Sequence, residues 1–120
     1  MLDERMELLY ESKQVSKSTY EQTPALLYMT EKFLRMKLDE DNAGAFTSHL
    51  MKAVERIKNN APITECSPAL LEQAHSHTAV HSFSRRLLEP FSQEEDAELE
   101  AEAAFLTAYF IGMKEEEELI

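Results

Sequence analysis

His49 and Arg56 stand seven residues apart in the run Asn42-Ala43-Gly44-Ala45-Phe46-Thr47-Ser48-His49-Leu50-Met51-Lys52-Ala53-Val54-Glu55-Arg56-Ile57-Lys58-Asn59-Asn60. Seven residues is almost two helical turns, so an imidazole and a guanidinium share one helix face. With the apolar stripe Phe46, Leu50, Ala53, Val54 and Ile57 as the centre, both fall roughly 80 to 110° away from it. They line the edge of the buried face, half protected and half reachable. The guanidinium offers a planar donor fork that suits a phosphate or an acidic partner. Spacing alone assigns the histidine no more than packing or capping.

A second pair has the same separation. Glu102 and Tyr109 fall roughly 60 to 80° off the apolar stripe of a later helix. If the two helices are neighbours, one edge gathers an imidazole, a guanidinium, a carboxylate and a phenol, in which Glu102 orients either basic group. The plainer alternative is an ion pair, with the tyrosine hydroxyl satisfying polar atoms at the core edge.

A third run, His75-Ser76-His77-Thr78-Ala79-Val80-His81, puts His77 and His81 one helical turn apart, a spacing at which two histidines share one ion. No carboxylate stands at a recognised offset, and the run spans a candidate break between two helices. No metal ligand or cofactor is therefore assigned. The three histidines are expected to bind Zn²⁺ no more tightly than an ordinary histidine-bearing surface. Cys66, the single cysteine, excludes an intrachain disulfide and has no activating base fixed near it.

The elements that must position these groups read as helices throughout. Residues 3–13, with Met6, Leu9 and Tyr10 on one side, form a short amphipathic helix. Thr23 and Pro24 offer a cap and first turn for the next, with Leu26, Met29, Thr30, Phe33 and Leu34 buried. A start near Ser18 that runs through Pro24 is the alternative. The stretch Asp39-Glu40-Asp41-Asn42 ends that helix and supplies caps for the helix of His49. Ser67-Pro68 repeats the cap-then-proline pattern, and Val80, Phe83, Leu87 and Leu88 mark a further helix ending near Pro90. Ser92-Gln93-Glu94-Glu95 opens the last helix, with Leu99, Ala103, Leu106, Phe110 and Met113 on one face. The acidic residues 114–120 read as a solvated tail.

With 120 residues, two glycines and four prolines, the chain reads as one all-α domain, an antiparallel bundle of about five helices. A net charge of −11 opposes direct nucleic-acid binding. No apolar run approaches the roughly 20 residues of a membrane span, and residues 1–5 lack a signal-peptide pattern. A cytoplasmic location is expected. No hydrolase motif or glycine-rich phosphate loop is present, so enzymatic catalysis is not expected.

Asn42-x-Gly44 before the helix, His49-Leu50 inside it and Arg56-Ile57-Lys58-Asn59 closing it resemble the first signature of the PTS regulation domain family. The resemblance covers roughly residues 20–112, with residues 1–17 an extra N-terminal helix. In that family the signature histidine accepts a phosphoryl group, which implies a phosphoacceptor role for His49, supported by Arg56, Glu102 and Tyr109. The second signature places a histidine before a phenylalanine in the last helix. Here Glu102-Ala103-Ala104-Phe105-Leu106-Thr107-Ala108-Tyr109-Phe110 matches it except that Tyr109 stands in the histidine's place. The resemblance implies a five-helix fold, a homodimer, a phosphocarrier protein or sugar-transport component as partner, and a role in phosphotransferase-linked transcriptional regulation. A helical interaction module that has lost phosphotransfer is the alternative, supported by Tyr109.

Overall fold

Six α-helices and one 3-10 turn, with no strand among the described residues, make up the computed structural model. It describes residues 2–93 and 98–119, the side chains of 115–119 excepted. The chain divides into two compact units, Met1–Glu55 and Arg56–Ile120.

In the first unit, α1 (Leu2–Glu11) buries Met6 and Leu9, while Tyr10 stacks on Tyr20 with ring centroids 5.1 Å apart. Helix α2 (Lys17–Leu34) starts well before Thr23. Ser16 is its cap, its hydroxyl accepting the Thr19 N–H at 3.3 Å, so the alternative start near Ser18 is the closer one. Thr23 instead donates its hydroxyl to the Thr19 carbonyl at 2.7 Å, inside the helix. Pro24 is tolerated within α2, where the N–H it lacks would have met the Tyr20 carbonyl.

The buried face of α2 is Thr19, Thr23, Leu26, Leu27, Thr30 and Leu34. Met29 and Phe33, expected in the core, are 43 % and 38 % exposed. The face is rotated towards Leu27, and Thr23 and Thr30 are accommodated in it because they satisfy their hydroxyls within the helix and so pack as small side chains; Thr30 donates to the Leu26 carbonyl at 2.8 Å. Helix α2 also ends earlier than Asp39. Arg35 takes the left-handed conformation, φ 56°, and its N–H returns to the Glu31 carbonyl.

Asp39 and Asn42 form a reciprocal cap for α3 (Glu40–Lys58), each side chain accepting the other's backbone N–H at 2.9 Å. Polar contacts made by Arg5 and by Glu55 hold α3 to the rest of this unit. Arg5 Nε donates to both Glu40 carboxylate oxygens, at 2.9 and 3.1 Å, and its Nη1 donates to Ser48 Oγ at 2.8 Å. Glu55 accepts the Ser16 N–H at 2.8 Å and the Thr19 hydroxyl at 2.7 Å. Phe46, Leu50, Ala53 and Val54 are buried as the periodicity requires, and Met51 joins them.

The second unit begins in the last turn of α3, closed by Asn60 at φ 56°. The Ala61 N–H bonds the Arg56 carbonyl at 2.8 Å, ending the helix with a left-handed asparagine. Ser67 caps α4 (Pro68–Ser76), accepting the Leu70 N–H at 3.1 Å with Pro68 in the first turn. Next come α5 (Thr78–Leu88), the 3-10 turn Glu89–Phe91 and α6 (Glu100–Leu119). Helices α4, α5 and α6 pack on one another.

Leu99, Ala103, Leu106, Phe110 and Met113 are all buried, as their spacing requires. Ser92 and Gln93 are not helical, however, and α6 begins only at Glu100. Gln93 instead donates its side chain to the Lys58 carbonyl at 3.1 Å. The rest of the expected helix start, Glu94 and Glu95, lies outside the described residues, as do the side chains of the expected tail 115–120.

Candidate functional site

His49 lies in the middle of α3, half-buried at the margin of the apolar face, with its Nε2 nitrogen buried. The turn before it is shaped by Gly44. A Cβ at Gly44 would stand 2.8 Å from Arg5 Nη2 and 2.9 Å from Glu40 Oε1. The absence of that atom lets the Arg5 guanidinium lie across α3 and reach Ser48, the residue beside His49. The glycine of the Asn-x-Gly pattern therefore serves a close side-chain approach rather than an unusual backbone angle. Nothing local in the sequence marks Glu40 as the partner of Arg5, 35 residues away.

Arg56, seven residues after His49, is likewise half-buried. Its Nε donates to Glu102 Oε2 and its Nη2 to Glu102 Oε1, both at 2.8 Å. Glu102 also accepts the Ile63 N–H at 2.9 Å. Its side chain is 0 % exposed, against 28 % for Arg56, so the carboxylate lies inside the core rather than at its edge. Helical angle alone placed it at the edge. Burial becomes affordable because the two-pronged guanidinium and a backbone donor replace its water. The same hydrogen bonds raise the Arg56 pKa, with burial acting in the opposite direction.

The structure thus brings together Arg56 and Glu102 of the four expected residues, and makes their ion pair a brace between the end of α3, the connection at Ile63 and α6. Tyr109, two turns beyond Glu102 on α6, is half-buried.

The histidine run is rearranged. His77 sits at the junction of α4 and α5, with φ −114° and ψ 66°. Its Nδ1 lies 3.0 Å from the Gln73 carbonyl and 3.1 Å from Ser76 Oγ. The His81 N–H still bonds the His77 carbonyl at 2.9 Å, but the His77 ring turns back to Gln73 and Ser76, and the ring that meets His81 is that of His75, on the far side of the break at His77. Cys66 is a half-buried free thiol.

No curated protein and no solved structure matches the chain. The family model described as PRD domain matches residues 25–113, from the turn after Pro24 in α2 to Met113 in α6. That span contains His49, Arg56, Glu102 and Tyr109 and leaves α1, with Arg5, outside it. Three quarters of the sequence, including all four candidate residues, falls within the match, and the chain belongs to the PRD domain family.

Proposed function

We propose that this chain is a non-enzymatic regulatory domain of the sugar phosphotransferase system, controlled in the cytoplasm by phosphorylation of His49 and acting in transcriptional regulation. The observation that carries the reading is the position of His49, half-buried on the helix of the first family signature and within the matched span. A phosphocarrier protein or sugar-transport component is the donor. In the transfer the donor's P–N bond breaks as a new one forms on His49. Phosphorylation adds up to about two negative charges at this edge.

Arg56 acts on that charge as a fixed cation. Handing its fork from Glu102 to the phosphoryl group would leave a buried carboxylate unpaired, a cost of about 3–5 kcal/mol. A charge–charge attraction across two helical turns, about 10 Å, is worth roughly 0.4 to 1.7 kcal/mol per unit charge. The fork therefore stays with Glu102, and the attraction accounts for an effect of about tenfold on the modified form. The output is a change in self-association or partner choice, with a homodimer as the resting assembly. Met29 and Phe33, exposed on α2, add apolar surface that supports self-association.

The deciding experiment exposes the protein to a phosphorylated histidine carrier under conditions that preserve phosphoramidates, and locates label by mass spectrometry. Label on His49, lost in His49→Ala, is expected. Label on His75, His77 or His81, or none with a competent donor, rejects the reading. The second reading, a helical interaction module without phosphotransfer, is favoured by Tyr109 in the second signature and by the buried His49 Nε2. It predicts no label and an unchanged assembly state. No helix among the described residues is long and apolar enough to cross a membrane.

A further inference from the structure

On one continuous helix, residues six positions apart point about 120° away from each other and are separated by about 9 Å along the axis. His75 and His81 nonetheless face each other, with ring centroids 5.3 Å apart and planes at 82°. The break at His77 accounts for this, since it redirects the chain between α4 and α5. The first residue of α6 completes the arrangement. Glu100 Oε2 lies 3.3 Å from His75 Nε2 and 3.3 Å from His81 Nε2. The other carboxylate oxygen, Oε1, accepts Arg85 Nη1 at 2.5 Å.

Three helices thus aim two ring nitrogens and one carboxylate oxygen at a common point, all three atoms within 4.8 Å of one another. His81 Nε2 is buried and makes no aligned hydrogen bond, although it stands close to the carboxylate. Glu100 supplies the carboxylate that the histidine run lacks in sequence.

We propose that His75, His81 and Glu100 form a three-ligand site for a divalent transition-metal ion of the Zn²⁺ class. Ligands about 2.0–2.1 Å from a tetrahedral ion stand about 3.3–3.4 Å apart, which matches both nitrogen–oxygen separations. Two imidazoles and one carboxylate suit zinc and its neighbours and are a poor set for Mg²⁺ or Ca²⁺, which favour all-oxygen shells. Arg85 orients the carboxylate from outside, leaving Oε2 for the ion.

His75 and Glu100 are 59 % and 40 % exposed, so an ion enters from solvent and water takes the fourth position. The Arg85 charge and this exposure make the site weaker than a closed four-ligand one. Binding ties the end of α4, the first turn of α5 and the start of α6 together. It therefore stabilises the unit that also holds the Arg56–Glu102 brace.

The test is a titration of the chelator-stripped protein with Zn²⁺ against a chromophoric competitor. One equivalent is expected to bind, with at least a tenfold loss of affinity in each of His75→Asn, His81→Asn and Glu100→Gln. His77→Asn is expected to bind as the wild type does. Imidazole nitrogen shifts in the unaltered protein provide a readout that does not depend on how the variants fold, and Zn²⁺ should move Nε2 of His75 and His81 but neither nitrogen of His77. Absence of saturable binding overturns the site, as does loss of binding in His77→Asn or full binding in Glu100→Gln. In the first case the cluster is only a histidine–carboxylate contact. His49 plays no part in the measurement, so its result is independent of the phosphorylation reading.

Discussion

Arg56 and Glu102 form a parallel two-pronged ion pair whose carboxylate is completely buried, 46 positions apart in sequence. The pair joins the last turn of the helix that carries His49 to the helix that carries Tyr109. Its energetics are asymmetric, because a matched pair contributes little net stability while a broken one leaves a charge stranded in the core.

Arg56→Ala and Glu102→Ala are each expected to lower the unfolding free energy by about 3–5 kcal/mol. The double variant Arg56→Met/Glu102→Leu should recover most of that loss. Urea denaturation of the four proteins checks it, and purely additive losses would contradict the account.

The double variant also separates function from folding. It removes the cation without stranding a carboxylate, so His49 phosphorylation measured in it should fall about tenfold while the fold persists. Equal occupancy in wild type and double variant would remove Arg56 from the switch.

At Gly44 two effects oppose each other. Alanine gains about 1 kcal/mol of helix propensity, but its Cβ displaces the ends of Arg5 and Glu40. Both are flexible side-chain ends, each about one third exposed, so they move at little cost. Gly44→Ala should therefore leave stability unchanged or raise it by up to about 1 kcal/mol while abolishing the coupling between Arg5 and Glu40. A double-mutant cycle with Arg5→Ala and Glu40→Ala, run in both backgrounds, measures this directly.

The pH response follows from two carboxylates. Glu40 is held below its ordinary value of 4.5 chiefly by the hydrogen bonds from Arg5. At Glu100 burial pushes upward, but the hydrogen bonds from His75 and Arg85 and the charges of His81 and Arg85 outweigh it, so its pKa is also lowered from 4.5. A lowered folded-state pKa means that the native state releases its proton more readily than the unfolded chain. These stabilising contributions are complete above the ordinary value and disappear as pH falls through the folded-state one. Denaturation midpoints in chelator should therefore fall with acidification below about pH 4.5, and fall less steeply in Glu40→Gln and Glu100→Gln.

Light scattering at micromolar concentration should give about twice the chain mass of 13.8 kDa. Replacing the exposed apolar residues Met29 and Phe33 with serine tests whether they contribute. A strict monomer at every concentration would remove self-association as the output.

The all-α class, the caps at Ser67 and Asp39, the apolar faces of α3 and α6, and the resemblance carried by Asn42, Gly44, His49 and Arg56 were legible in the sequence. Each depends on neighbours within two helical turns, where side-chain spacing and backbone hydrogen bonding are local matters. The start of α2 was less legible, because Thr23-Pro24 and Ser16 both satisfy the capping rule and only packing selects between them. The burial of Glu102 was not legible at all. A wheel angle places a carboxylate at an edge, and only a guanidinium and an N–H arriving from residues 56 and 63 make the interior tolerable for it. The histidine cluster is the same kind of case. Sequence offered His77 and His81 at a helical spacing, but the break at His77 and the arrival of Glu100 from α6 decided that His75 is the partner, since convergence of three helices is a property of tertiary packing and of no single one of them.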